Sequence, residues 1–102
     1  MAEKKPIIRV VLNKFKEAGY GLSEEKWKEL GDKDAKNIEE VGGKYILVAR
    51  CYWSGGEWEW FVVDEFPDTE ALQKHVKLEE ELGLPRYLER KFYVGTPWAP
   101  LR

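Results

Sequence analysis

The chain has 102 residues, one domain's length, and 17 Lys and Arg against 19 Asp and Glu give it a net charge of -2. That balance excludes a dedicated nucleic-acid binder, which carries a clear basic excess, and 43% apolar with 14% aromatic residues excludes intrinsic disorder. Two Ser, two Thr, two Asn and one Gln beside 35% charged residues is the composition expected of a heat-adapted protein.

No apolar h-region follows Met1–Pro6, and the longest apolar run, Tyr45–Ala49, is far short of the roughly 20 residues that span a bilayer. Neither a targeting segment nor a membrane partner is expected. Cys51 is the single cysteine, so no internal disulfide forms and a cytoplasmic location fits.

A first strand is predicted from Ile7 to about Phe15. Alternation sets Ile8, Val10 and Leu12 on one face and Ile7, Arg9, Val11, Asn13 and Phe15 on the other. Ser23 is a suitable N-cap for a helix whose stripe is Trp27, Leu30, Ile38 and Val41, with Leu22 placed to staple onto Trp27. Gly31-Asp32 interrupts this segment, leaving one helix or two short ones, and Gly42-Gly43 ends it.

Lys44–Trp53 and Glu57–Phe66 read as two strands joined at Gly55-Gly56 by a two-residue turn. That register pairs Trp53 with Trp58, Cys51 with Trp60 and Arg50 with Phe61. It gathers Tyr45, Leu47, Ala49, Cys51 and Trp53 with Trp58, Trp60 and Val62 on one face. Ile46, Val48, Arg50 and Tyr52 fall beside Glu59, Phe61 and Val63 on the other.

Pro67-Asp68 caps a second helix, about Thr69 to Leu82, with Ala71, His75, Leu78 and Leu82 on its inner stripe. Gly83 and Pro85 close it, and a last strand runs from about Leu88 to Val94. The order β-α-β-β-α-β predicts an α+β, ferredoxin-like domain over residues 1–102: a four-stranded antiparallel sheet with two helices on one face. Ile7, Val11, Ile46, Val48, Tyr52, Phe61 and Val63 would line the bare face, and so large an apolar surface predicts a homodimer packed face to face, a dimeric α/β barrel. Residues 95–102 are expected to run as an extended tail, with Trp98 docked on its own or the partner subunit.

The stretch Phe66-Pro67-Asp68-Thr69-Glu70-Ala71-Leu72-Gln73-Lys74-His75 resembles a segment of the dimeric α/β-barrel superfamily, especially its antibiotic-biosynthesis-monooxygenase-like group. There an aromatic residue, usually Trp, is followed by a Ser/Asp-containing turn, an Ala-Leu or Ala-Phe pair, and a His three or four residues on. The resemblance implies a barrel dimer and, for some members, cofactor-free oxygenation of aromatic substrates. Asn13 matches the first-strand Asn of haem-degrading members, but the second helix has no Trp, and His75 stands where their Trp would.

His75 reads either as a pocket-lining acid/base group or as a core histidine satisfied by its neighbours. Cys51 reads as a small buried residue or a nucleophile, and Trp53, Trp58 and Trp60 as core filling or as an aromatic wall for a flat ligand. Arg9, Asn13, Arg50, Tyr52 and Glu59 suit ion pairs across a dimer seam or recognition of an anion, while Glu79-Glu80-Glu81 reads as a solvated face. One His and one Cys without paired carboxylate spacing make no recognisable metal site, and no phosphate loop or nucleophile signature points to a cofactor. Two functions remain: a binding protein that holds a small aromatic or apolar molecule beside His75, Cys51, Trp53, Trp58, Trp60 and Asn13, or a cofactor-independent monooxygenase-like enzyme.

Overall fold

A computed structural model describes residues 6–98. Its elements are β1 (Ile7–Phe15), α1 (Glu17–Tyr20), α2 (Glu24–Glu40), β2 (Lys44–Arg50), β3 (Trp60–Phe66), α3 (Thr69–Glu81), α4 (Leu84–Tyr87) and β4 (Leu88–Gly95). The strands form one antiparallel sheet in the order β2-β3-β1-β4, the ferredoxin-like arrangement that the element order predicts. Two short helical turns, α1 and α4, are additions to the expected elements. No helix among the described residues is long and apolar enough to cross a membrane.

Local chemistry sets the helix ends. Ser23 accepts a hydrogen bond from the Lys26 amide and starts α2, which then runs unbroken through Gly31-Asp32 for 17 residues. Gly42 takes φ +81°, a left-handed conformation that lets the chain leave α2 and enter β2. Asp68 caps α3 by accepting from the Ala71 amide at 2.8 Å. Ile38 of α2, Phe66 at the end of β3, and Ala71 and Leu72 of α3 close over Ile7, Val41 and Val76 to make the packed end of the core.

The register of β2 differs from the expected hairpin. Tyr45 pairs with Asp64, but a bulge leaves Ile46 out of the ladder, so Leu47 pairs with Val63, Val48 with Val62, Ala49 with Phe61 and Arg50 with Trp60. A single 3-10 turn at Tyr52–Ser54 and an irregular passage to Trp60 replace the two-residue turn and both strand ends. Leu47 and Ala49 therefore share the outer face with Phe61 and Val63, while Val48 and Arg50 turn to the helix side.

The face assignment of β1 is also corrected. Ile7, Arg9, Val11 and Asn13 pair with Phe66, Asp64, Val62 and Trp60 and look toward the helices. Arg9 and Asn13 can sit inside because partners satisfy them there, so polarity does not mark the solvent side. The uncovered face instead holds Ile8, Val10, Leu12, Leu47, Phe61, Val63 and Tyr93. Trp98 is 67% exposed on the chain itself, and the tail beyond it, 99–102, lies outside the described residues.

Candidate functional site

Between the sheet and the helices lies a cavity of about 300 Å³. Val11 of β1, Trp27 and Leu30 of α2, Val48 of β2, and Trp60 and Val62 of β3 form its apolar wall. Trp60 and Trp27 meet edge to face at 5.9 Å, and Phe15 contacts both at 5.0 Å, so one end of the cavity is an aromatic cluster.

The other end is charged. Arg9 is 1% exposed, and its Nε and Nη2 donate to Asp64 Oδ1 and Oδ2 at 3.1 and 2.7 Å. Its Nη1 donates to Glu79 Oε1 at 3.0 Å, and Arg90 Nη1 reaches the same oxygen at 3.1 Å. Phe92 lies 4.7 Å from the Arg9 guanidinium and 5.0 Å from that of Arg90, adding cation–π contact. Burial opposes the charge on Arg9, but the hydrogen bonds to Asp64 and the charges of Glu79 and Asp64 outweigh it and raise the pKa above its ordinary value. Burial likewise pushes Glu79 up, yet the His75 imidazole and the Arg9 and Arg90 guanidiniums hold its carboxyl down at about 2.

Asp34 of α2 reaches this floor from the opposite side. Its Oδ2 accepts from the Tyr45 hydroxyl at 2.9 Å. Burial and the Glu79 charge push its carboxyl up to about 6, against the pull of Tyr45, His75 and Arg9. The Tyr45 phenol is raised as well, by burial and by the charge of Asp34.

The residues singled out from the sequence separate into two groups. Asn13 and Trp60 line the cavity, and Asn13 donates from Nδ2 to the Val11 carbonyl at 3.0 Å. His75 is fully buried just behind the floor, 3.4 Å from Glu79 Oε2 and 3.6 Å from Asp34 Oδ1. Cys51, Trp53 and Trp58 stand apart at the β2–β3 connection, because the shifted register carries them past the sheet. Cys51 Sγ donates to the Trp58 carbonyl, and Trp53 is 76% exposed with its indole N–H on the Arg50 carbonyl. Glu59, placed with Arg50 in the sequence reading, instead accepts from the Phe15 amide and the Tyr20 hydroxyl.

Six floor residues escape the sequence reading: Arg9 as an internal partner, Asp34, Tyr45, Asp64, Glu79 and Arg90. Glu79 is 3% exposed rather than part of a solvated acidic face. The signal for it is the i,i+4 spacing to His75, which puts both on one side of α3. Asp64 within Val62-Val63-Asp64-Glu65-Phe66 and Arg9 within an apolar strand are matching signals, each a charge at an inward position.

No protein-family model and no curated protein matches the chain. Solved structures do. A dabb family protein from Mesorhizobium loti with a ferredoxin-like fold superposes with a TM-score of 0.63 at 17% identity, covering 93% of this chain and 99% of that one. SnoaB, a cofactor-independent oxygenase from Streptomyces nogalater, gives 0.61 at 7% identity over 92% and 94% of the two chains. A dimeric ferredoxin-like protein of unknown function from Bacteroides fragilis gives 0.53 at 14% identity over 90% and 96%. At these identities the likeness is one of fold. The chain has the ferredoxin-like fold that the Mesorhizobium loti and Bacteroides fragilis proteins also have.

Proposed function

We propose that this protein binds one small aromatic or apolar molecule carrying a polar group, in the cavity between sheet and helices, and that it works in the cytoplasm as a homodimer. The observation that carries the reading is the cavity itself: about 300 Å³, with one aromatic end and one charged end. A flat ring fits against Trp27 and Trp60, and a polar substituent then points to Tyr45, Asn13 and Arg90. His75 stands behind the floor carboxylates and does not itself line the cavity. The uncovered apolar sheet face supports pairing with a second copy, as does the fold likeness to a protein described as dimeric.

Titrating a panel of substituted aromatic compounds into the full chain tests this, with Trp fluorescence and calorimetry as readouts. At least one compound is expected to saturate at one per chain and to lose binding in Gly31→Phe, which puts a bulky ring at the cavity rim. A panel that never saturates, or binding unchanged in Gly31→Phe, overturns the reading.

The Tyr45–Asp34 hydrogen bond at the cavity wall favours a second reading, cofactor-independent oxygenation of the bound ring. Uptake of dissolved oxygen that depends on the bound compound and is lost in Tyr45→Phe supports turnover. Binding without product assigns a binding role alone.

A further inference from the structure

α3 places His75 and Glu79 four positions apart on one side of the helix, and α2 packs across them to add Asp34. One ligand atom from each of His75, Asp34 and Glu79 converges, all three within 4.8 Å of one another. The imidazole nitrogen is 3.6 Å from the Asp34 oxygen and 3.4 Å from the Glu79 oxygen, and neither approach is aligned as a hydrogen bond. His75 is 0% exposed, yet both its ring nitrogens and Asp34 Oδ1 have no hydrogen-bond partner among the described residues. Buried polar atoms are ordinarily paired, so His75 Nε2 and Asp34 Oδ1, left facing each other without a bond, call for a common partner between them.

The spacing names its kind. Donors about 2.1 Å from a tetrahedral zinc ion stand about 3.4 Å from one another. The outer oxygens are already engaged: Tyr45 donates to Asp34 Oδ2, and Arg9 donates to Glu79 Oε1. Each carboxylate is thus oriented by a fixed neighbour while its second oxygen turns to His75, the division of labour seen around metal centres. Charge agrees. Arg9 and Arg90 are two cations against the carboxylates of Asp34, Asp64 and Glu79, which leaves the buried set one negative charge in excess.

We propose that His75, Asp34 and Glu79 hold one divalent transition-metal cation of the zinc class. One imidazole nitrogen with two carboxylate oxygens suits such an ion better than Mg2+ or Ca2+, which take oxygen shells. Asp34 and Glu79 also line the cavity, so the ion would sit directly behind its floor. Cys51 takes no part, since it lies at the β2–β3 connection with its thiol on the Trp58 carbonyl. The site is independent of whether the cavity takes an organic ligand.

Chelator-stripped full-length protein dialysed against Zn2+, with Co2+ as a spectroscopic probe, gives the test. One ion per folded chain is expected, with Co2+ bands gaining the intensity of a four-coordinate site. Asp34→Asn, which keeps an acceptor for Tyr45, should weaken Zn2+ by more than about a hundredfold, beyond the effect of losing an outer partner. Cys51→Ser should bind like the parent. His75→Gln should lose the ion too; if that buried substitution unfolds the chain, Asp34→Asn decides alone. Absence of one-to-one binding by the folded parent overturns the proposal. So does equal affinity in Asp34→Asn, or loss of binding in Cys51→Ser.

Discussion

Arg9 and Asp64 face each other across β1 and β3 and are joined by two hydrogen bonds of 3.1 and 2.7 Å, with both side chains sealed from solvent. The pair bridges the two central strands of the sheet. Removing one member strands a buried charge, which costs about 3–5 kcal/mol, whereas replacing both by apolar groups is far cheaper. Asp64→Leu alone is therefore expected to destabilise by that amount in urea unfolding. The double change Arg9→Met with Asp64→Leu should cost clearly less than the two single costs added together. Strict additivity would show that the two side chains do not act as a unit.

Val63 stands half-buried in the middle of the outer sheet face, paired with Leu47 and Val10. Light scattering of the parent at micromolar concentration should give twice 12.0 kDa. Val63→Asp, a charge placed where a second sheet would pack, should give one chain's mass with its circular dichroism retained. A parent that is monomeric throughout removes the barrel dimer.

Gly43 and Gly31 are opposite tests of space. A Cβ at Gly43 would lie 2.9 Å from both Ile38 Cγ1 and Phe66 Cδ1 and 3.0 Å from the Glu65 carbonyl, whereas one at Gly31 meets nothing within 4 Å. Gly43→Ala is expected to cost about 1–3 kcal/mol through overpacking. Gly31→Ala, inside α2, should gain about 0.5–1 kcal/mol from helix propensity. Thermal melts separate them, since 1 kcal/mol moves the midpoint of a domain this size by roughly 4–8 °C.

Trp98 offers a fourth test. It is 67% exposed on its own chain, so removing residues 96–102 should leave the melting point of the monomeric Val63→Asp variant unchanged. The parent's midpoint should fall if the indole packs on a partner subunit. Equal behaviour in both backgrounds would place Trp98 outside any interface.

Much of the fold is legible in the chain because its punctuation is local. Ser23, Gly42, Asp68 and Gly83 each act on the backbone within a few residues, and they place the helices without knowledge of the sheet. The β2 register is not legible in this way. One residue absorbed at Ile46 reverses which side chains face the helices, and nothing in Tyr45-Ile46-Leu47 announces it. The charged floor is hidden for a related reason. Arg9, Asp64 and Glu79 read as surface residues until the fold brings them together, because burial becomes tolerable only with partners distant in sequence. His75 is visible as an inward residue on its helix. Its neighbour Asp34 comes from another helix and carries no local mark.

The bulge at Ile46 has an effect beyond register. β2 is an edge of the sheet, where an open row of amides and carbonyls invites a strand from another molecule. The displaced residue interrupts that row between Tyr45 and Leu47, and Lys44 and Arg50 bracket the short strand with charge. An incoming strand cannot keep step along such an edge. Ribbon-like growth and fibre formation along β2 are thereby disfavoured in a crowded solution, and the apolar surface the chain still offers is the open face of the sheet rather than its edge.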